Sequence, residues 1–194
     1  MRLGNLAEVR SGLVLSRKLS RTPSEFRYPL LNLRSVKEEG YIALNELDTY
    51  FAVEELPPDY ITQIGDIIVR LSAPYTAILI DEETAGIVIS SNFTIIRADQ
   101  QVVSSSYLYW LLNTPKVKKK IYENTTSNML AAIKPKYFAD FDIVPLPLDK
   151  QQIIGDLNLL RCKEACLLRQ LADERNRYAA LLIDKAQKEM RRGK

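Results

Sequence analysis

The chain has 194 residues, of which 46% are hydrophobic and 26% charged, and its formal net charge is +3 at pH 7. This length and composition suit a globular protein with one domain and an appendage, and they argue against disordered, collagen-like and disulfide-scaffold classes. No apolar run approaches the ~20 residues that a membrane helix needs. Residues 1–6 contain no apolar signal segment, and the only cysteines are Cys162 and Cys166, so we expect a cytoplasmic protein.

The absence of histidine removes many catalytic classes. It excludes Ser-His and Cys-His nucleophile pairs, histidine metal sites and a histidine general base. No glutamate is followed two residues later by lysine, as many metal-dependent nucleases require, and no glycine-rich loop for a nucleotide is present. Cys162 and Cys166 alone do not complete a tetrahedral zinc site. We therefore predict no catalytic residues, no metal site and no cofactor bound by this chain.

The small net charge conceals a segregation along the sequence. Residues 1–34 hold seven Arg or Lys against two Glu, whereas residues 38–66 hold eight Asp or Glu and no Lys or Arg. Four lysines follow within residues 116–120, and residues 150–194 hold eleven basic against six acidic groups. Local basic patches on a nearly neutral protein suggest a polyanion bound by one face, with an ordinary solvated surface as the alternative.

Residues 1–148 show short β-branched runs separated by turn formers, a pattern typical of strands. Such a set predicts a curved, mostly antiparallel sheet or partial barrel, within an α+β fold. A helix is expected over residues 107–112, with Ser104 to Ser106 available as caps, and a second helix from Pro115. The predicted strands lie in residues 28–33, 66–71, 76–80, 86–90 and 92–97.

The end of the chain differs in kind. The prolines in residues 145–148 stop the sheet, and Asp149 can cap a helix with no further proline. We therefore divide the chain into a globular domain, residues 1–148, and a long helix, residues 149–194. About 40 helical residues span about 60 Å, which exceeds the width of a domain of this size.

Apolar side chains recur along this helix at alternating three- and four-residue intervals, over about four heptads. Since so long a helix cannot bury the whole stripe against its own domain, we expect a partner helix to cover it. A terminal helix folded back on the sheet is the alternative. The predicted dimer interface consists of Ile153, Leu157, Leu160, Leu167, Leu171, Tyr178 and Leu181.

Four segments together resemble a known family. They are LGNLAEVRSG at 3–12, GDIIVR at 65–70, SNMLAAI at 127–133 and IVPLPLDKQQI at 143–153. In this order they are similar to target recognition domains of type I restriction–modification specificity subunits, and the last resembles the hinge before the long conserved helix of that family. Typical members carry two recognition domains and two helices, so this chain resembles a half-subunit.

The resemblance implies a non-catalytic, DNA-binding specificity subunit. Such subunits read a bipartite target in double-stranded DNA, and their helices form the platform for methyltransferase subunits. S-adenosylmethionine, and ATP with Mg²⁺ where a restriction subunit takes part, are then expected only on those partners. A chain with one recognition domain is expected to form a homodimer through its helix and to read an inverted repeat. No membrane partner is expected.

A DNA reader needs cations for phosphates and forked or amide side chains for base edges. Loop residues near strand ends are the candidates. The predicted DNA-binding residues are Arg17, Lys18 and Arg21 in the first polar loop, Arg70, Ser72, Tyr75 and Thr76 after the Gly-Asp strand, Ser91 and Asn92, and Thr125, Ser127, Asn128, Lys134 and Lys136. Two other classes stay open: a coiled-coil scaffold that binds no nucleic acid, and a carboxylate-dependent hydrolase.

Overall fold

A computed structural model describes residues 1–127 and 133–192, with the side chains of 125–127 and 192 left out. It contains seven strands, four α-helices and several short 3-10 turns within these ranges. The strands are β1 (Ala7–Ser11), β2 (Arg27–Leu31), β3 (Asp48–Phe51), β4 (Ile67–Arg70), β5 (Ala77–Leu79), β6 (Val88–Ile89) and β7 (Phe93–Ala98). The helices are α1 (Ser105–Asn113), α2 (Pro115–Ser127), α3 (Pro135–Ala139) and α4 (Leu148–Arg192).

The strands form two sheets. The larger has the order β1-β7-β4-β5 and is antiparallel throughout, while the smaller has the order β3-β2-β6 and contains one parallel pair, β2 with β6. The chain passes directly from β6 into β7, so residues 90–92 join the two sheets. The predicted α+β class and mostly antiparallel pairing are confirmed, and no closed barrel forms among the described strands.

The main core lies between the sheets. Ile68 of β4, Ile78 of β5 and Ile95 of β7 belong to one buried cluster with Leu31 of β2 and Ile89 of β6. Because side chains alternate along a strand, Ile67 and Val69 face the other side of the larger sheet, and both are fully buried. There α1 packs on β4 and β5, and α3 packs on β1. The larger sheet is thus covered on both faces, which explains its nearly continuous apolar strands.

The start of α4 is fastened to the start of α1. Gln151 is 1% exposed, and its Oε1 accepts a hydrogen bond from the Ser104 backbone N–H at 2.9 Å. Its Nε2 donates to the carbonyl oxygen of Leu146 at 2.6 Å. One turn later, a Cβ added to Gly155 would lie 2.1 Å from Ser106 Oγ, so only glycine permits this approach. The predicted side-chain cap by Ser104 is absent, although Ser104 does occupy the N-cap position.

The chain divides into two compact units, Met1–Asp156 and Leu157–Lys194. Helix α4 begins at Leu148, one residue before the predicted start, so Asp149 lies within its first turn. In the second unit the predicted apolar stripe is exposed: Leu160 is 65% and Leu181 68% accessible. None of the described helices is both long enough and apolar enough to cross a membrane.

Candidate nucleic-acid interface

Several strands of the larger sheet begin or finish at the same end of that sheet. Ser11, the last residue of β1, pairs with Thr94 near the start of β7, and Arg70, the last of β4, pairs with Phe93. Three turns therefore lie at the same end of the sheet: those that follow β1 and β4, and the one that precedes β7. We call this end of the sheet the loop end and define it as residues 11–13, 70–76 and 90–92.

Backbone hydrogen bonds tie these turns together. The Leu71 N–H donates to the Asn92 carbonyl oxygen at 3.0 Å, and the Ser91 N–H donates to that of Leu13 at 2.8 Å. The Ile133 N–H donates to the Leu71 carbonyl oxygen at 2.8 Å, which brings Ile133 to the same place. Four stretches of chain that are distant in sequence thus form one surface.

A glycine permits the closest of these approaches. A Cβ added to Gly12 would lie 2.2 Å from the Ser90 carbonyl oxygen, so no larger residue fits there. The neighbouring Ser11 is exposed and was not among the predicted binding residues. The Ser-Gly pair that ends β1 is the sequence signal that could have indicated it.

The predicted residues at the loop end differ in exposure. Ser91 and Asn92 are exposed, and Ser72 is half-buried. Tyr75 is 5% exposed and has a φ of 54°, and Thr76 is fully buried. Their side chains therefore support the turn between β4 and β5 from within and are not part of its surface.

Lysines flank this surface. Lys134 follows the Ile133 that bonds to Leu71, and both Lys134 and Lys136 are exposed. Neither makes an ion pair within the described part of the chain. Two other predicted residues, Thr125 and Ser127, lie in α2 with side chains outside those described, and Asn128 lies outside the described residues.

The first polar loop lies elsewhere, beside β3. The Val53 N–H donates to the Lys18 carbonyl oxygen at 2.9 Å, and the Ser20 N–H donates to that of Phe51 at 2.8 Å. Arg17 and Arg21 are exposed there, at the end of β3 that lies next to the start of β2. Since the loop end adjoins the opposite end of β2, through Leu31 and Ile89, the structure does not bring these cations together with Ser91 and Asn92.

The charge segregation of the sequence is partly cancelled in the folded chain. Arg10 forms an ion pair with Asp59, and Lys18 with Glu54. Three further cations also pair with carboxylates from residues 38–66: Arg34 with Asp48, Lys37 with Glu46, and Arg97 with Asp66. The acidic segment thus pairs with three of the seven basic residues in residues 1–34, namely Arg10, Lys18 and Arg34.

The best-formed of these ion pairs, between Arg97 and Asp66, lies at the opposite end of the larger sheet. Asp66 is 1% exposed and accepts from Arg97 Nε at 2.8 Å and from its second terminal nitrogen at 2.9 Å. This bond raises the pKa of Arg97. The Asp66 carboxylate also accepts the Gln63 N–H at 2.9 Å, so it organises the turn before β4.

The lysines of α2 have separate surroundings. The Lys120 ammonium lies 4.7 Å from the centre of the Phe141 ring, and Lys119 is 3.8 Å from Glu123. Burial lowers the pKa of Lys118, while the nearby Glu38 carboxylate acts in the opposite sense. These lysines therefore differ in their surroundings. Within residues 1–127 and 133–192 no group of three or more Cys, Asp or Glu is arranged to hold a metal ion.

No protein-family model matches the chain, and no curated protein is significantly similar to it. Solved structures do resemble its fold. A chain solved in work on the complex assembly and conformational transition of the type I R-M system aligns with 98% of this chain, at 17% identity and a TM-score of 0.62. The HsdS subunit from Thermoanaerobacter tengcongensis aligns with 88% of it, at 14% identity and a TM-score of 0.57.

This chain covers only 48% and 38% of the length of those two proteins. At such low identity the likeness shows the fold alone. The shared fold is an α+β domain with mostly antiparallel sheets, followed by a long helix.

Proposed function

We propose that this chain recognises DNA as the specificity component of a type I restriction–modification complex. The observation that carries the proposal is the loop end, where hydrogen-bonded turns present polar side chains beside lysines that have no ion-pair partner in the described chain. The likeness of the fold to HsdS supports the same assignment. The exposed residues concerned are Ser91, Asn92, Lys134 and Lys136, with Ser72 and Arg70 partly exposed.

Two kinds of contact follow from these side chains. Lys134 and Lys136 contact phosphates and supply affinity that does not depend on sequence. Ser72, Ser91 and Asn92 carry hydroxyl and amide groups, which hydrogen-bond to base edges and supply specificity. Arg17 and Arg21, beside β3, extend the phosphate contacts beyond the loop end.

The chemistry belongs to other subunits in this proposal. The chain itself is non-catalytic and binds no cofactor. A methyltransferase subunit carries S-adenosylmethionine, and a restriction subunit, where one takes part, uses ATP with Mg²⁺. The role of this chain is to direct those subunits to a bipartite target.

The exposed stripe on α4 supports the assembly. Leu157, Leu160, Leu167 and Leu171 are each more than half exposed in the single chain. At roughly 25 cal/mol per Å² of buried apolar surface, covering such a stripe with a second helix is favourable. A second copy of α4, antiparallel to the first, forms a two-fold dimer. Two identical readers then select an inverted repeat.

The same stripe is the observation that favours a second candidate, a coiled-coil scaffold without nucleic-acid binding. An exposed seam needs a partner whether or not DNA is bound. The two candidates differ in what they predict for the loop end, which has no role in the scaffold.

Duplex binding separates the two functions. The purified chain is titrated with a fluorescent random-sequence duplex at several salt concentrations, with a single strand of the same length as control. We expect the logarithm of the association constant to fall linearly with the logarithm of salt, with a slope of about −0.9 per phosphate contact. Absence of duplex binding at low salt would contradict the proposal and favour the scaffold.

A further inference from the structure

One arginine at the loop end has an unusual environment. Arg70 ends β4 on the same face as Ile68, which points into the core between the two sheets. One of its terminal nitrogens, Nη1, is 3.4 Å from the Leu33 carbonyl oxygen, just after β2. The side chain therefore lies between the two sheets and emerges, half-buried, at the loop end.

Arg70 has no carboxylate partner in the part of the chain that the structure describes. Arg97 lies on the same sheet but differs from Arg70, because the buried Asp66 carboxylate pairs with its guanidinium. Arg70 Nε is buried and has no hydrogen-bond partner among the described atoms. A partly buried guanidinium whose Nε lacks an acceptor is costly, because the lost hydration of that nitrogen is not replaced.

A second polar atom without a partner in the described chain belongs to the residue directly opposite Arg70 in the sheet. The Arg70 N–H donates to the Thr76 carbonyl oxygen at 3.0 Å, so the two residues face each other across the β4–β5 hairpin. Directly opposite residues have Cβ atoms roughly 5 Å apart on the same face of the sheet. Thr76 is fully buried, and its Oγ1 also has no partner among the described atoms. Arg70 Nε and Thr76 Oγ1 thus belong to facing residues on one side of the sheet, where apolar side chains would otherwise be expected.

We infer that Arg70 is a specificity-determining residue that reads the acceptor edge of a guanine, and that Thr76 is a positioning residue for it. The inference rests on the proposed DNA-binding function. Flexible surface lysines suit contacts to phosphates. The Arg70 side chain is instead restrained by packing and by its hydrogen bond to the Leu33 carbonyl oxygen. Guanine O6 and N7 accept two parallel hydrogen bonds from one guanidinium, and a restrained donor suits that fixed geometry.

The test compares binding preference with binding strength. Wild-type protein and the variants Arg70→Lys, Thr76→Val and Thr76→Ser each select sequences from a pool of randomised duplexes, and the salt dependence is measured separately on one non-selected duplex. Arg27→Lys is the matched control, because Arg27 is exposed at the start of β2, at the opposite end of that strand from the loop end. Thermal unfolding of each variant establishes that it is folded.

We expect Arg70→Lys to lose the preference for guanine at one position of the selected site, by about 5- to 150-fold. Its salt slope should be unchanged, because lysine keeps the charge. Thr76→Val should weaken the same preference and Thr76→Ser should restore it, which a purely structural role of Thr76 would not produce. The control should select the wild-type sequence.

Two results would overturn the inference while leaving DNA recognition intact. One is an unchanged selected sequence for Arg70→Lys. The other is an equal loss of affinity on all sequences, which would make Arg70 a phosphate contact. Failure of the wild-type protein to bind any duplex at low salt would instead refute the proposed function itself.

Discussion

Gln151 and Ser104 are 47 positions apart, yet the Gln151 side chain occupies the place where a capping side chain of α1 would act. Its amide oxygen accepts the Ser104 N–H at 2.9 Å, and its amide nitrogen donates to the Leu146 carbonyl oxygen at 2.6 Å. Both partners are backbone groups, and the bond to the Ser104 N–H is buried. The interaction explains why a glutamine follows the proline-rich segment before the long helix.

Replacing Gln151 with alanine should lower the free energy of unfolding by about 1–3 kcal/mol, because the buried Ser104 N–H loses its acceptor. Gln152→Ala is the matched control. Gln152 is exposed and bonds only to the Asp156 side chain in the described structure, so its loss should change stability by less than about 0.5 kcal/mol. Urea unfolding measures both. Equal stabilities of the two variants would show that the buried amide contributes nothing.

The ion pairs of the folded chain predict which lysines bind DNA. Lys134→Ala and Lys136→Ala should each make the salt slope of duplex binding shallower by about one, since each removes a phosphate contact. Lys18→Ala should leave the slope nearly unchanged, because Glu54 already neutralises the Lys18 ammonium. Anisotropy titrations on one duplex provide the slopes. A larger change for Lys18 than for Lys134 would contradict the loop end as the main phosphate-binding surface and place that surface beside β3.

The lowered pKa of Lys118 predicts a dependence of stability on pH. Because burial brings its folded-state pKa below the unfolded value of 10.5, the unfolded chain binds the proton more tightly. The stability contribution is therefore unfavourable at neutral pH and improves as the pH rises through the folded-state pKa. Glu38 opposes this effect and reduces its size.

Lys118→Met should accordingly be more stable than the wild type at pH 7, with the difference shrinking as the pH approaches 10.5. Lys116→Met is the control, since Lys116 is exposed on the same helix. Urea midpoints over this pH range give the answer. A difference that grows with pH would have the wrong sign for a desolvated lysine.

The stripe on α4 predicts an oligomer. Leu160→Glu combined with Leu167→Glu should convert a dimer to monomers, because two charges would be buried in the seam. Ala165→Glu with Ala172→Glu adds the same charges at the same spacing, at exposed positions away from the stripe, and should stay dimeric. Light scattering measures the mass. A wild-type monomer at micromolar concentration would refute the dimer.

Much of the sheet could be predicted from the sequence because the strands β4, β5 and β7 are continuous apolar runs bounded by turn formers. By contrast β1, with the sequence AEVRS, and β3, with DTYF, carry charges and lack that signal. β1 pairs with β7, far along the chain, and β3 pairs with β2, and such pairing depends on a context that local sequence does not encode. The division of the strands into two sheets was missed for the same reason.

The candidate site was predicted in part. Ser91 and Asn92 are exposed at a turn, as the sequence suggested, because polar residues between two apolar strands have few other places to lie. Thr76 and Tyr75 were expected at the surface, but the hairpin directs them inward. The charge pattern misled most, because Lys18 and Glu54 are 36 positions apart and only the fold makes them partners.

The loop end as DNA-binding surface is tested most directly by amide hydrogen exchange of the wild-type protein with and without a saturating duplex at low salt. We expect slower exchange on binding in residues 71–76 and 90–92, with little change at residues 63–66 and 99–105 at the opposite end of the larger sheet. Slower exchange confined to that opposite end of the sheet would contradict the assignment of the loop end as the DNA-binding surface. So would unchanged exchange at every amide despite saturated binding.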